Sequence, residues 1–433
     1  MFPQAAFPLE VGTSVELFSG GGGLAQAMHE AGFRHLVVNE FSKRACETLL
    51  ANLAVKRKGE DHIPVDLMEK WPLVEGDVRE VDFSYLRSQG VDVVAGGPPC
   101  QPFSLGGVHK GDEDARNMFP ELFRVVRETR PLAVVCENVR GLLRPSFSPY
   151  FDYILRELSL PFEERSDDVD WEEHDAILQN RDKVVPLDSA QRYVVNVALV
   201  NAADYGVPQV RNRVIIVAFR ADLGITQEMW DQVFKPKRTH SQAALFKSQL
   251  DGSYWRRHKK VPPEVRKRIK ESIKDKKVLD GSDLLPWRTL RDALYSNPDA
   301  EDFKPLPRDV VNGADHPEEE WTHHIGWPGA RIYAGHTPNN LDKPAKTVKA
   351  GVHGVPGGES VMLLDDGTYR YMTVRETARV MTFPDWWRFK GPRGEQMRQL
   401  GNAVPVLLGK VFAKAVARAL AAASVGELPD LGK

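Results

Sequence analysis

Cys100 sits in the run 91–107, VDVVAGGPPCQPFSLGG, and this context can hold a thiol in one place. The apolar residues Val91 to Ala95 predict a buried strand, which Gly96, Gly97, Pro98 and Pro99 stop abruptly. Each proline fixes its own φ and restricts the residue before it, so the loop carrying Cys100 is expected to be stiff. Glu137 follows a second apolar run, Leu132 to Cys136, so two strand ends would deliver a thiol and a carboxyl group side by side. Arg211 and Arg213 stand two apart in Gln209-Val210-Arg211-Asn212-Arg213 as the chain enters a further strand. Two arginines on one strand face are costly unless they meet anions or carboxylates. Taken singly, each group has a plainer reading: a buried structural cysteine, a capped surface glutamate, a surface ion-pair ladder.

The elements that would position these groups can be read in order. Val15 to Phe18 predicts a strand, Ser19 to Gly23 a glycine-rich turn, and Leu24 to Ala31 a helix stopped by Gly32. Leu36 to Val38 predicts a second strand, ending at Asn39 and Glu40. Strand, glycine turn, helix, strand, acid is the mononucleotide-binding half of a doubly wound sheet. Gly20-x-Gly22 fits a nicotinamide or an S-adenosylmethionine site, and Glu40 is placed to hold a ribose hydroxyl. Asp77, in Gly76-Asp77-Val78, can accept from an adenine amino group or be a solvated turn residue. Residues 163–182 carry nine acids against two arginines and read as a solvated insertion. Residues 235–277 hold fifteen Lys/Arg and four Asp/Glu, a local +11 with Tyr254 and Trp255 interleaved. Such a segment looks like a nucleic-acid surface, with a solvated basic helix as the alternative. A long apolar helix, Val406 to Ala423, is expected to return to the first domain.

At 433 residues the chain has room for two or three domains, and its net charge of −2 gives no global nucleic-acid signature. Cys46, Cys100 and Cys136 are too few and too scattered for a disulfide framework or a zinc site, so no metal is expected. The first residues, MFPQAAFPLE, lack a signal-peptide pattern, and no apolar run reaches the ~18 residues of a membrane span. These features lead us to expect a cytoplasmic protein with no membrane partner.

The motifs together resemble the DNA (cytosine-5)-methyltransferases of restriction-modification type. The likeness rests on FSGGGG at 18–23, Glu40, Gly76-Asp77-Val78, GGPPCQPFS at 96–104 and Glu137-Asn138-Val139. It continues through Gln209-x-Arg211-x-Arg213, RETARVMTFPD at 375–385 and GNAVP at 401–405. The resemblance implies an α/β, doubly wound, Rossmann-like S-adenosylmethionine-dependent methyltransferase domain with a smaller, irregular target-recognition domain. The expected division is 1–221 catalytic, 222–345 target recognition on DNA, and 346–433 back in the catalytic domain.

By resemblance, Cys100 adds to carbon 6 of a cytosine rotated out of the duplex, which makes carbon 5 nucleophilic. Glu137 then relieves charge at N3, which requires a proton on its carboxyl group and hence a raised pKa. Arg211 and Arg213 bind the base oxygen and the thiol or phosphate region. Phe18, Gly20 and Gly22 border S-adenosyl-L-methionine, Glu40 takes its ribose, Asp77 its adenine, and Pro98 and Asn402 line its methionine end. The implied partner is double-stranded DNA. A restriction endonuclease would be a genetic rather than a physical partner, and the chain is expected to act as a monomer. Competing readings are a tRNA cytosine-5 methyltransferase, a nicotinamide oxidoreductase, and a non-catalytic DNA-binding relative. Neither the recognised DNA sequence nor a role for 163–182 is legible.

Overall fold

The computed structural model describes residues 9–57, 63–99, 117–184, 188–276, 283–298, 303–310, 321–332, 337–350 and 360–431. The chain divides into two compact units. The first holds residues 1–200, 212–236 and 409–433, and the second 201–211 and 237–408. The expected return to the first domain at residue 346 therefore lies inside the second unit.

The first unit is built on eight strands: β1 (Gly12–Leu17), β2 (Phe33–Glu40), β3 (Ala54–Lys56), β4 (Trp71–Glu75), β5 (Val93–Gly96), β6 (Ala133–Val139), β7 (Tyr193–Asn201) and β8 (Asn212–Arg220). Their order across the sheet is β3-β4-β2-β1-β5-β6-β8-β7. The pairs from β3 to β6 are parallel, and β8 runs antiparallel to β6. The order reverses at β1, so the crevice beyond its carboxyl end is the expected ligand position. The central strands are apolar almost throughout, as a parallel sheet covered on both faces requires: Val93, Val94, Ala95, Ala133 and Val134 are fully buried.

Helices α1 (Gly23–Ala31), α2 (Lys43–Leu50), α3 (Phe119–Thr129), α4 (Ser148–Ser159) and α5 (Trp171–Val184) belong to this unit. Gly32 ends α1 in the left-handed region at φ 101°, where a side chain would be strained. Phe119, Leu122, Phe123, Val125 and Val126 form the buried side of α3 and join one core with Val15, Val94, Val134 and Ile216. The acidic stretch is more ordered than a solvated insertion. Trp171 packs on Tyr150 and Tyr153, His174 bonds the Tyr153 hydroxyl at 3.0 Å, and Leu178 is fully buried. Three apolar or aromatic positions at helical spacing dock α5, while Glu172 and Glu173 remain exposed.

The second unit is irregular, with short strands β9 (His240–Ser241), β10 (Leu285–Pro286), β11 (Asn339–Asn340), β12 (Val361–Leu363) and β13 (Tyr369–Tyr371). Its helices are α6 (Gln242–Asp251), α7 (Ser253–Arg257), α8 (Pro263–Ile273), α9 (Leu290–Tyr295), α10 (Val374–Val380) and α11 (Arg393–Asn402). Thr289 and Thr373 each close a capping box, with Asp292 and Glu376, which starts α9 and α10. Buried ion pairs supplement a modest apolar core: Arg291 bonds Asp342 and Asp365, and Arg257 and His258 bond Asp292. The last helix, α12 (Val406–Ser424), enters the first unit at Gly409, where Lys410 meets Glu30 at 2.7 Å.

Candidate active site

The strand register brings the motif residues of the first unit to one edge. Leu17 of β1 pairs with Gly96 of β5, which pairs with Cys136 of β6. Phe18, Gly97 and Glu137 are thus the first residues beyond three adjacent strand positions. Glu40 ends β2 opposite Glu75 of β4, and the Gly76 N–H donates to the Glu40 main-chain oxygen at 3.0 Å.

At the glycine turn the backbone takes left-handed values at Phe18 (φ 54°), Gly20 (φ 54°) and Gly22 (φ 90°). For Phe18 this costs on the order of 1–3 kcal/mol, and such strain persists only where surrounding bonds impose it. They do: the Ser19 N–H donates to the Asn39 oxygen at 3.1 Å, and the Gly20 N–H to Glu40 Oε2 at 2.6 Å. Glu40 Oε1 accepts from the Ser42 N–H at 2.6 Å. Among the described residues, a side chain placed at Gly20 would meet nothing within 4 Å. Phe41, next to Glu40, is 75% exposed, and our sequence reading passed over it. Its signal was available: a large aromatic directly after the acid of a nucleotide-binding strand.

Asp77 is engaged locally. It accepts from the Arg79 N–H at 3.1 Å and pairs with the Arg79 guanidinium, which holds its carboxyl group below the ordinary range. An adenine amino group at Asp77 would share the carboxylate with Arg79.

Glu137 and Arg213 come together across the antiparallel pair of β6 and β8. Arg213 Nε lies 2.6 Å from Glu137 Oε1, and both side chains are 10% exposed. A methyl group at position 97 would lie 3.7 Å from Glu137 Oε2, so the carboxyl group borders the backbone leading to the thiol loop. Asn138, also missed from the sequence, ties the two strand ends together. Its buried Nδ2 donates to the Pro98 oxygen at 3.2 Å, and its Oδ1 accepts from the Val139 N–H at 2.8 Å. Pro98 itself is buried and Pro99 exposed. Cys100 lies outside the described residues.

Arg211 departs from the expectation. The spacing of Arg211 and Arg213 suggested one strand face, but β8 begins at Asn212, and Arg211 belongs to the second unit. Strand alternation therefore does not apply to the pair. Arg211 is 1% exposed, and its guanidinium donates to the main-chain oxygens of Val348, Gly401 and Ala403 at 2.8–2.9 Å. It clamps the Gly401-Asn402-Ala403 turn, leaving Asn402 exposed at the end of α11. Gly401 has no room for a side chain, since a Cβ would lie 2.3 Å from the Ala350 nitrogen.

Among the described residues no group of histidines, cysteines or acids is arranged to hold a metal ion, and no helix is long and apolar enough to cross a membrane.

A reversal point beside a glycine turn, with a paired carboxyl group on a neighbouring strand, is the layout of a ligand site in a doubly wound α/β sheet. The profile of the family described as C-5 cytosine-specific DNA methylase matches residues 12–160 and 177–418, leaving out the loop before α5 and the first part of that helix. The chain belongs to this family, and it is a DNA (cytosine-5-)-methyltransferase. It is similar to the Type II methyltransferase M.Eco47II of Escherichia coli, 28% identical over 94% of this chain and 79% of that protein. It also matches M.NgoMIV of Neisseria gonorrhoeae, 27% identical over 94% and 98%. Among solved structures, one from E. coli titled as a candidate DNA modification methyltransferase encoded within a prophage aligns with a TM-score of 0.55. It is 19% identical and covers 94% of this chain and 99% of that one. At that identity the likeness speaks for the fold.

Proposed function

We propose that the chain transfers a methyl group from S-adenosylmethionine to carbon 5 of a cytosine rotated out of a specific double-stranded DNA sequence, through a covalent Cys100 adduct. The observation that carries this reading is Glu137, paired with Arg213 at 2.6 Å on the strand adjoining the thiol loop. The glycine turn at Gly20, the Glu40 carboxylate beside it and an exposed Phe41 ring able to lie against adenine support the donor site. When bound, it supplies an electrophilic methyl group on a sulfonium.

The protein's own groups do the rest. The Cys100 thiolate adds to carbon 6 of the base and raises electron density at carbon 5. Glu137, carrying a proton, donates it to N3 as negative charge develops there and takes it back when the ring is restored, and Arg213 holds that carboxyl group in one orientation. Asn138 fixes the Pro98 carbonyl, and with it the start of the loop that carries Cys100. After carbon 5 has taken the methyl group, its proton leaves to solvent base and the thiolate departs, restoring the ring. Arg211 acts at a distance by holding the turn that presents Asn402. Residues 222–345 recognise the DNA, and the resemblance to Type II methyltransferases favours protection of host DNA from a restriction endonuclease. Bisulfite sequencing of a host expressing the protein tests the reading. The expected result is 5-methylcytosine at one short sequence, absent in a Cys100→Ser variant; labelled methyl groups entering tRNA and not duplex DNA would overturn it.

A further inference from the structure

We infer that the groove between α7 and α8 is a clamp for the sugar-phosphate backbone of duplex DNA, acting outside the bases that are read. The inference rests on the proposed DNA-recognition role of residues 222–345 and specifies what one part of that segment touches. The groove has a volume of about 640 Å³ and is lined by Arg256, Lys259, Arg266, Lys267 and Lys270, with Glu271 its one acid. The chain as a whole is slightly acidic at −2, so five cations around one concavity are a strong local departure.

The groove is rigid. Val265, Ile269 and Ile273 lie on one face of α8 and are buried with Leu245, Phe246 and Tyr254. Arg266 is spent on structure, donating to the main-chain oxygens of Val261 and Lys259. Its guanidinium also lies 6.0 Å from the Trp255 ring, whose N–H is turned inward to the Gln249 oxygen. Lys259 and Lys267 are exposed and Lys270 half-exposed, and no ion pair among the described residues engages them.

The lining chemistry selects the ligand. Bases are read by Asn, Gln and bidentate Arg; the groove offers no Asn or Gln, and of its two arginines Arg266 is held by main-chain oxygens, leaving Arg256 beside three lysines. Its lysine heads are point charges suited to phosphate oxygens. A protein partner would need an apolar anchor pocket, yet Trp255 is already 95% buried. Phosphate spaced along a duplex satisfies a rigid row of cations without one.

The test uses the full chain and a Lys267→Gln/Lys270→Gln variant, which removes no hydrogen bond or ion pair seen among the described residues. Binding to a duplex of about 30 base pairs is followed by fluorescence anisotropy over a range of NaCl concentrations. Each lost phosphate contact lowers the slope of log K against log salt by about 0.9, so the variant should lose about 2 and bind at least ~10-fold more weakly at low salt. Its melting temperature and S-adenosylmethionine affinity should match the wild type, and an Arg87→Gln/Lys414→Gln control should keep the wild-type slope. An unchanged slope in the lysine variant, or an equal loss in the control, overturns the clamp, as does selective weakening of binding to tRNA. A wild-type protein that methylates duplex DNA while its lysine variant keeps the slope contradicts the clamp alone. A wild type that neither binds nor methylates duplex DNA contradicts the proposed function as well.

Discussion

Arg211 and Arg213 show how two like residues, two positions apart, take different work from their surroundings. Arg213 faces a carboxylate at the site, whereas Arg211 is consumed by three carbonyls. A hydrogen bond from a charged group is worth about 1.5–3 kcal/mol, and orphaned buried carbonyls add a penalty. Arg211→Ala should therefore destabilise the protein by about 3 kcal/mol or more, with a clear fall in melting temperature. Arg213→Ala should leave the melting temperature within a few degrees and lower kcat/KM by ~10²-fold or more. Thermal unfolding and methyl-transfer kinetics on the two variants check this, and a reversed pattern would exchange their roles. The motif made both arginines visible in the sequence. Only the start of β8 at Asn212 decides which is walled in. Asn138 and Phe41 escaped notice because their importance lies in a neighbour: the Pro98 carbonyl for one, Glu40 for the other.

At the scale of elements, β1 and β2 carry a cost that their pattern conceals. Glu16 on β1 is fully buried, and His35 on β2 lies 3.7 Å away. His35 donates through Nε2 to the Ala25 oxygen, and its Nδ1 shares a hydrogen bond with the Ser14 hydroxyl at 2.8 Å. Burial pushes Glu16 up to about 8 and His35 down to about 3. The signs follow from linkage. Glu16 keeps its proton in the folded chain after the unfolded chain has released it. Its contribution to stability is complete below the ordinary glutamate range near 4.5 and is lost as pH rises through about 8. His35 acts oppositely, contributing above its ordinary value near 6.5 and losing that contribution as pH falls toward about 3. Glu16→Gln should flatten the decline in stability between about pH 5 and 8 while leaving the acid limb in place. Urea unfolding at a series of pH values measures this, and an unchanged alkaline limb would contradict it. The strands themselves were legible from their apolar runs. The docked helix within the acidic stretch was not, because Trp171, His174 and Leu178 are diluted by nine acids.

For the whole molecule, the doubly wound sheet was legible because strand, glycine turn and acid repeat a pattern that backbone geometry demands. The division of the chain was less so. Residues 201–211 join the second unit, and that unit continues to Leu408, beyond the expected return at 346. Short strands and buried ion pairs supplement the apolar faces of that unit, and such pairs leave no periodic trace in a sequence. The two units separate the proposed tasks: group transfer at the strand ends of the first, and duplex binding on a rigid basic face of the second. The account as a whole depends on a transient bond between residue 100 and the base. Its most direct measurement is mass spectrometry of the denatured protein after incubation with duplex DNA containing 5-fluorocytosine at the methylated position, in the presence of S-adenosylmethionine. The fluorine blocks release, so a stable adduct mapping to Cys100 is predicted. Methylated, fluorine-bearing product without any adduct, or an adduct on another residue, would contradict the mechanism.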